Sequence, residues 1–190
     1  MLNNIRNSLQ PHLEKLCNSF ASTGISPTGW SIIGLVFGLT SAFIYGWNME
    51  FSLIIGGIVL LVAGFFDVVD GQVARATQKV SKTGGFLDSV FDKIAEVAIF
   101  FGILVGGFAE PYLVFLAISL SLLVSFTRSR AESLGVKLQG IGIGERAERL
   151  LVIAIVGIIG FMEYAVIIVI IIAGITFIQR IIVTLKALRD

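Results

Sequence analysis

Six long apolar stretches, three of whose connections are very short, constrain the fold of this chain more than any other feature. A helix that crosses a bilayer needs about 20 mostly apolar residues. Stretches of roughly this kind lie at about 30–45, 51–66, 85–108, 111–130, 145–161 and 164–184. Of all residues, 56% are hydrophobic and 14% are charged, whereas soluble domains carry about 25% charge. The sequence therefore predicts an all-α integral membrane protein with six transmembrane helices.

The first 24 residues have a different pattern from the rest of the chain. Apolar residues recur there at every third or fourth position, and polar residues lie between them. This spacing is typical of an amphipathic helix that lies on the membrane surface. We expect residues 1–24 to form such a juxtamembrane helix, within a single membrane domain that spans residues 1–190.

The distribution of basic residues predicts the orientation of the chain. The three shortest connections, near residues 46–50, 110 and 163, contain neither Lys nor Arg. Of the 14 Lys and Arg residues, all except Lys93 lie on the opposite side or at helix ends that face it. Because cytoplasmic loops are enriched in basic residues, that side is expected to be cytoplasmic. Both termini would then face the cytoplasm of a multi-pass cell-membrane protein.

Four aspartates lie close to the cytoplasmic side. Asp67 and Asp70 follow the second apolar stretch, and Asp88 and Asp92 open the third. Spacings of three and four residues place each pair on one helix face. Four ionised carboxylates repel one another strongly unless cations balance them, and oxygen-only ligands favour Mg²⁺, Mn²⁺ or Ca²⁺. Since pairs of such ions support phosphoryl transfer, we expect two divalent cations here, although helix ends facing water are the simpler alternative.

Small and basic residues accompany the aspartates. Gly71 follows Asp70 directly and allows a phosphate or a base to approach the backbone. Ala74 adds only a methyl group to the same helix face, and Arg75 can pair with a phosphate or with an aspartate. Gly84 lies one turn before Asp88 and is expected to provide similar clearance.

Together these residues form the pattern D-x2-D-G-x2-A-R-x8-G-x3-D-x3-D, from Asp67 to Asp92. The pattern resembles the signature of the CDP-alcohol phosphotransferase family at every defined position. The resemblance implies an enzyme that transfers a phosphatidyl-type group from a CDP-linked lipid to an alcohol and releases CMP. It also implies that Asp67, Asp70, Asp88 and Asp92 bind two Mg²⁺ or Mn²⁺ ions, and that Asp92 is the catalytic base. A homodimer that works on membrane lipid, with no nucleic-acid partner, is expected.

The resemblance also assigns a site for the CDP-lipid. It implies contacts from the turn before the first span and from the cytoplasmic loop, in addition to the small and basic residues of the motif. The predicted CDP-lipid contacts are Ser26, Pro27, Thr28, Gly29, Gly71, Ala74, Arg75, Ser81 and Gly84. For the serines and the turn, ordinary helix capping is an equally good interpretation.

A cluster of arginines lies at the ends of the last three spans. Residues 130–149 resemble the branch of the family whose acceptor is inositol 1-phosphate, and the arginine fork matches phosphate oxygens. The resemblance implies that the acceptor phosphate is held by Arg128, Arg130, Arg149 and Arg180. The preference of cytoplasmic helix ends for arginine explains each of them equally well. The same chemistry with glycerol 3-phosphate as acceptor is the alternative function.

Two further functions fit part of the pattern. An intramembrane prenyltransferase also uses paired acidic motifs with Mg²⁺, but it does not require Gly71, Ala74 and Arg75 in this order. A divalent-cation transporter would need carboxylates near the middle of the bilayer, and here they lie at one interface. Glu96 lies one turn beyond Asp92, and we expect it to pair with Lys93, with tuning of the metal site as the alternative. Close helix packing is the expected role of Gly56, Gly57, Gly64 and Gly102.

Overall fold

The computed structural model describes residues 20, 22–138 and 140–189. Every regular element in this part of the chain is an α-helix, so the all-α class is confirmed. The helices are α1 (Pro27–Trp47), α2 (Ser52–Ala76), α3 (Lys82–Val105), α4 (Pro111–Ser133), α5 (Arg146–Ile158) and α6 (Met162–Ala187). The amphipathic helix predicted over 1–24 lies almost wholly outside the described residues.

Two serines determine where α1 and α3 begin. The Oγ of Ser26 accepts a hydrogen bond of 3.1 Å from the backbone N–H of Gly29, and Pro27 follows it as the first residue of α1. The Oγ of Ser81 accepts a hydrogen bond of 3.0 Å from the N–H of Gly84 at the start of α3. Both are N-caps, which satisfy a backbone donor that the helix itself leaves free.

Four of the helices, α1, α2, α4 and α6, are long and apolar enough to cross a membrane. Their outer faces carry large exposed apolar side chains such as Phe43, Phe115 and Ile178, as expected for helices surrounded by lipid. Helix α3 has 24 residues but carries several charges. Helix α5 has only 13 residues, or about 20 Å at 1.5 Å each, which is less than the roughly 30 Å of a bilayer core.

Helix α1 packs against α2 and α3, and α4 packs against α6. Helix α5 joins the two groups because it contacts both α2 and α6. The core between them contains Tyr45, Phe100 and Ile153, all fully buried. This arrangement leaves the aspartate-bearing parts of α2 and α3 beside the beginning of α5.

Glycines allow the closest helix contacts. A Cβ at Gly56 would lie 2.7 Å from the ring of Tyr45, and one at Gly57 would lie 3.0 Å from the carbonyl oxygen of Ala154. A Cβ at Gly102 would collide with the backbone carbonyl of Ala42. These three glycines therefore pack helices as predicted. The prediction for Gly64 is wrong, because nothing lies within 4 Å of a Cβ there and the residue lines a cavity instead.

Candidate active site

A cavity of about 740 Å³ lies between α1, α2, α3 and the N-terminal end of α5. One part of its wall is apolar, with residues such as Leu35, Leu60 and Phe65. The other part is polar and charged: Ser31, Asp67, Asp70, Gln72, Arg75, Asp88, Asp92, Glu145, Arg146 and Glu148. The cavity can thus accommodate a molecule that has both an apolar and an anionic part.

Three carboxylates meet in this cavity. Asp67 on α2 and Asp88 and Asp92 on α3 each offer an oxygen, and these oxygens all lie within 4.8 Å of one another. We call these three residues the acidic cluster. Carboxylate oxygens alone, at this separation, suit a hard divalent cation, whose oxygen ligands lie about 2.0–2.6 Å from the ion. The residues present therefore fit the divalent metal that the motif implies.

Asp70, the fourth predicted ligand, lines the same cavity with a hydrogen-bond partner that the sequence did not indicate. The hydroxyl of Ser31 on α1 donates a hydrogen bond of 2.6 Å to Oδ2 of Asp70. Asp70 is only 6% exposed, and a buried carboxylate requires such a donor. Ser31 fixes the Asp70 side chain from a third helix, which nothing in the spacing of the sequence predicts.

Arg146, the first residue of α5, reaches into the acidic cluster. Its Nη1 forms an ion pair with Oδ1 of Asp92 at 2.6 Å, and it donates a hydrogen bond to Oδ1 of Asp67 at 3.0 Å. The side chain of Arg146 is 18% exposed. Arg146 lies outside the aspartate motif and outside the set of arginines predicted from the sequence. The only signal was its place beside Arg149 in a short acidic and basic segment.

The residues predicted to bind the CDP-lipid lie at helix N-termini and along α2. Ser26 and Ser81 cap α1 and α3, and the two ends are close, since a Cβ at Gly84 would lie 3.7 Å from Oγ1 of Thr28. Two neighbouring helix N-termini favour an anion between them. On α2, Gly71 and Arg75 line the cavity.

The remaining residues of that predicted set belong to the same two regions. Gly29 and Pro27 form the first turn of α1. Ala74 is half-buried on α2, between Gly71 and Arg75. Ser26 and Ser81 are therefore helix caps, as the alternative interpretation held, and their binding of the CDP-lipid stays a prediction.

The four predicted acceptor arginines divide into an exposed and a buried pair. Arg128 and Arg130 lie on the exposed end of α4, where Nε of Arg128 is 2.9 Å from Oε1 of Glu132. Arg180 on α6 is buried, and it donates 2.8 and 3.0 Å hydrogen bonds to the carbonyl oxygens of Val124 and Ile141. The phosphate-binding role of these three residues stays a prediction.

Arg149, the fourth of these arginines, is fully buried in an ion pair. Its Nη2 and Nε lie 2.6 and 3.1 Å from Oε1 of Glu96, which is also fully buried. Its Nη1 donates to the carbonyl oxygen of Gly144 at 2.7 Å. Lys93 lies 3.0 Å from Oε2 of Glu96, so the predicted pairing of Lys93 with Glu96 is present and is one of two. To bind a phosphate, the Arg149 guanidinium therefore has to break one of these hydrogen bonds or donate one of its remaining N–H groups.

The segment before α5 is held by buried side chains. Oγ1 of Thr176 on α6 accepts hydrogen bonds from the N–H groups of Ile143 and Gly144, at 3.2 and 2.9 Å. Arg180 and Arg149 bind carbonyl oxygens of the same segment. Since residues 140, 142 and 145 line the cavity, these contacts shape its rim and place Arg146.

The sequence profile of CDP-alcohol phosphatidyltransferases matches residues 27–184. The chain belongs to this family. The resemblance inferred from the aspartate motif is thereby confirmed, and CDP-alcohol phosphatidyltransferases are enzymes. Membership also argues against the prenyltransferase and transporter alternatives.

Similar proteins within the family carry related names. The chain is 41% identical over 184 residues to archaetidylinositol phosphate synthase of Pyrococcus horikoshii, covering 95% of each chain. It is 40% identical over 144 residues to the synthase of the same name from Methanothermobacter thermautotrophicus, covering 73% of each. Identity to phosphatidylinositol phosphate synthase of Streptomyces avermitilis is 36% over 140 residues, which covers 68% of this chain and 54% of that protein.

Solved structures share the fold. The crystal structure of Mycobacterium tuberculosis phosphatidylinositol phosphate synthase with manganese and citrate superposes with a TM-score of 0.78 at 22% identity, covering 90% of this chain and 88% of that one. The structure of the same synthase with CDP-DAG bound gives a TM-score of 0.79 at 21% identity, covering 90% of this chain and 92% of that one. At this identity the likeness supports the helical architecture alone.

Proposed function

We propose that this CDP-alcohol phosphatidyltransferase transfers the lipid phosphate group, on a diacylglycerol or archaeol, from a CDP-linked lipid to inositol 1-phosphate and releases CMP. The observation that carries the proposal is the acidic cluster, which opens into a cavity with both an apolar and a charged wall. The names of the similar proteins, which are inositol phosphate lipid synthases, support the choice of acceptor.

In the proposed reaction, the acceptor hydroxyl oxygen attacks the lipid-side phosphorus of the diphosphate. A phosphorus–oxygen bond forms there, the diphosphate bridge breaks, and CMP departs with the electron pair. Asp92 takes the proton from the hydroxyl, because its carboxylate faces the cavity and is 24% exposed. Asp67, Asp70, Asp88 and Asp92 would hold two Mg²⁺ or Mn²⁺ ions. When bound, these ions stabilise negative charge on the phosphoryl oxygens.

The CDP-lipid is proposed to lie with its diphosphate beside the acidic cluster. The neighbouring N-termini of α1 and α3 present backbone N–H groups to an anion, and Arg75 lines the cavity as a further cation. The proposed contacts are Ser26, Pro27, Thr28, Gly29, Gly71, Ala74, Arg75, Ser81 and Gly84. The apolar wall of the cavity suits the beginning of the lipid tails.

The acceptor phosphate is proposed to bind Arg128, Arg130, Arg149 and Arg180. Arg128 and Arg130 are directly accessible at the end of α4. Arg149 and Arg180 already bind carbonyl oxygens of the segment before α5, so their contribution includes the shape of the pocket. A basic pocket of this kind favours a phosphorylated acceptor over a neutral one.

The arrangement in the membrane is also a proposal. We propose six crossings, in which α3 and α5 pack inside the bundle, and one domain that includes the N-terminal amphipathic segment. The excess of basic residues on the side of the acidic cluster supports a cytoplasmic location for that side and for both termini. Family resemblance supports a homodimer in the cell membrane.

An acceptor panel tests the proposed function. Purified protein with a CDP-linked lipid and Mg²⁺ is expected to release CMP when inositol 1-phosphate is added. CMP release is measured with each acceptor in turn and without any acceptor. Release with glycerol 3-phosphate and none with inositol 1-phosphate would contradict the acceptor assignment. Loss of release with every acceptor would contradict the reaction itself.

Arg130→Ala tests the acceptor pocket. A hydrogen bond to a charged group contributes about 1.5–3 kcal/mol, so KM for inositol 1-phosphate is expected to rise about tenfold or more. KM for the CDP-lipid is expected to change little. Lys186→Ala, which removes an exposed charge in the last turn of α6, is the control. Equal increases in both KM values would indicate general electrostatics instead of an acceptor pocket.

A further inference from the structure

The guanidinium of Arg146 binds the same carboxylates that would hold a divalent cation. Its Nη1 lies 2.6 Å from Oδ1 of Asp92 in an ion pair, and it donates a hydrogen bond of 3.0 Å to Oδ1 of Asp67. Both residues belong to the acidic cluster, whose oxygens lie within 4.8 Å of one another. A nitrogen in contact with two of the three carboxylates takes up coordination space and electrostatic attraction that a cation would use.

The remaining contacts of Arg146 do not explain its position. Its Nε is buried and has no hydrogen-bond partner among the described residues. Buried donors are nearly always paired, so an arginine with a purely structural role would be expected to use this group. Arg149, one turn further along α5, is a clear contrast, because its Nε, Nη1 and Nη2 all donate hydrogen bonds.

We propose that Arg146 competes with divalent cations for Asp67 and Asp92 and thereby lowers the affinity of the metal site. The guanidinium supplies positive charge to the clustered carboxylates, and a bound cation displaces it, because two cations on the same oxygens repel each other. This inference rests on the proposed metal binding and is independent of which acceptor the enzyme uses. Arg146 is a positioning and tuning residue for the site, in addition to the aspartates.

The test is the affinity for Mn²⁺ of purified, chelator-treated protein, measured from the electron paramagnetic resonance signal of free Mn²⁺. Coupling free energies between sites commonly change affinity about 5- to 150-fold, and we expect Arg146→Gln to bind Mn²⁺ about tenfold more tightly than the wild type. Arg146→Lys keeps the charge and is expected to remain close to the wild type. Lys137→Gln, which removes an exposed charge from the segment between α4 and α5, is the matched control and is expected to leave the Mn²⁺ affinity unchanged.

Thermal unfolding gives a second readout that does not depend on turnover. With a chelator present, Arg146→Gln is expected to have a lower Tm than Lys137→Gln, because its carboxylates lose their cation. Added Mn²⁺ is expected to raise the Tm of Arg146→Gln by more than that of the wild type, since tighter binding gives more stabilisation. Unchanged or weaker Mn²⁺ binding in Arg146→Gln would overturn the proposal, as would equally tight binding in Arg146→Lys. A protein that binds Mn²⁺ as expected but releases no CMP would contradict only the proposed function.

Discussion

Replacing Asp92 with asparagine is expected to reduce the rate of CMP release by about 10²- to 10⁴-fold, which is the usual contribution of a general acid–base group. Asparagine has nearly the same shape, but it neither accepts the proton of the acceptor hydroxyl nor carries charge for a cation. The Asp92 carboxylate faces the cavity and contacts Arg146 at 2.6 Å. The measurement is turnover of purified protein at saturating CDP-lipid and inositol 1-phosphate.

The control for Asp92→Asn is Glu163→Gln, the same carboxylate-to-amide change in the first turn of α6, where the side chain is exposed. We expect wild-type turnover from this control. Both variants should elute as single species and unfold cooperatively, so that a loss of turnover is not a loss of fold. Turnover retained in Asp92→Asn would remove this residue from the proposed base role.

Replacing Glu96 with glutamine is expected to lower the free energy of unfolding by about 3–5 kcal/mol, which is typical when one partner of a buried ion pair is removed. The Arg149 guanidinium, fully buried against Glu96, would keep its charge without a counter-charge. Lys93 also contacts Glu96, but the Lys93 side chain is 32% exposed. Water can therefore solvate the Lys93 ammonium when the charge of Glu96 is removed. The measurement is chemical denaturation of the purified protein in detergent.

A double variant separates the ion pair from the proposed acceptor role of Arg149. Replacing a buried pair with apolar residues of similar size is often neutral or stabilising, so Glu96→Leu with Arg149→Met is expected to recover most of the lost stability. If Arg149 also binds the acceptor phosphate, this stable protein should show a raised KM for inositol 1-phosphate. A double variant as unstable as Glu96→Gln would contradict the ion-pair explanation, and an unchanged KM would assign Arg149 to stability alone.

The helices were largely predictable because each is specified locally. A run of apolar residues long enough to cross the bilayer, bounded by proline, glycine or a capping serine, predicts a helix without reference to any partner. Helix α4 was expected over 111–130 and is Pro111–Ser133. The prediction was less accurate for α2, which continues past its apolar run to Ala76, because polar residues near an interface do not end a helix.

The aspartates were also predictable as neighbours, since spacings of three and four residues repeat with the helix. Their partners were not. Ser31 reaches Asp70 from 39 residues away, and Arg146 reaches Asp67 from 79 residues away. Such contacts depend on how α1, α2, α3 and α5 pack, and helical periodicity carries no information about them.

The arginines show the same limit of sequence-based prediction. The family resemblance predicts that one phosphate pocket contains Arg128, Arg130, Arg149 and Arg180. Only the tertiary structure divides them into an exposed pair and a buried pair, since burial depends on what the neighbouring helices cover. Glu96 determines the environment of Arg149, and Val124 and Ile141 determine that of Arg180.

By itself, the sequence determined the class of protein and the position of the carboxylates along the chain, because these follow from composition, periodicity and residue spacing. It also indicated the family, through the resemblance of the aspartate motif to the family signature. The tertiary structure decided which groups surround those carboxylates, and above all that the guanidinium of Arg146 lies between two of them. The physical reason is the sequence distance over which each kind of contact forms. Helical spacing relates residues within about one turn, whereas an ion pair such as that of Arg146 depends on two helices that meet only in the folded protein.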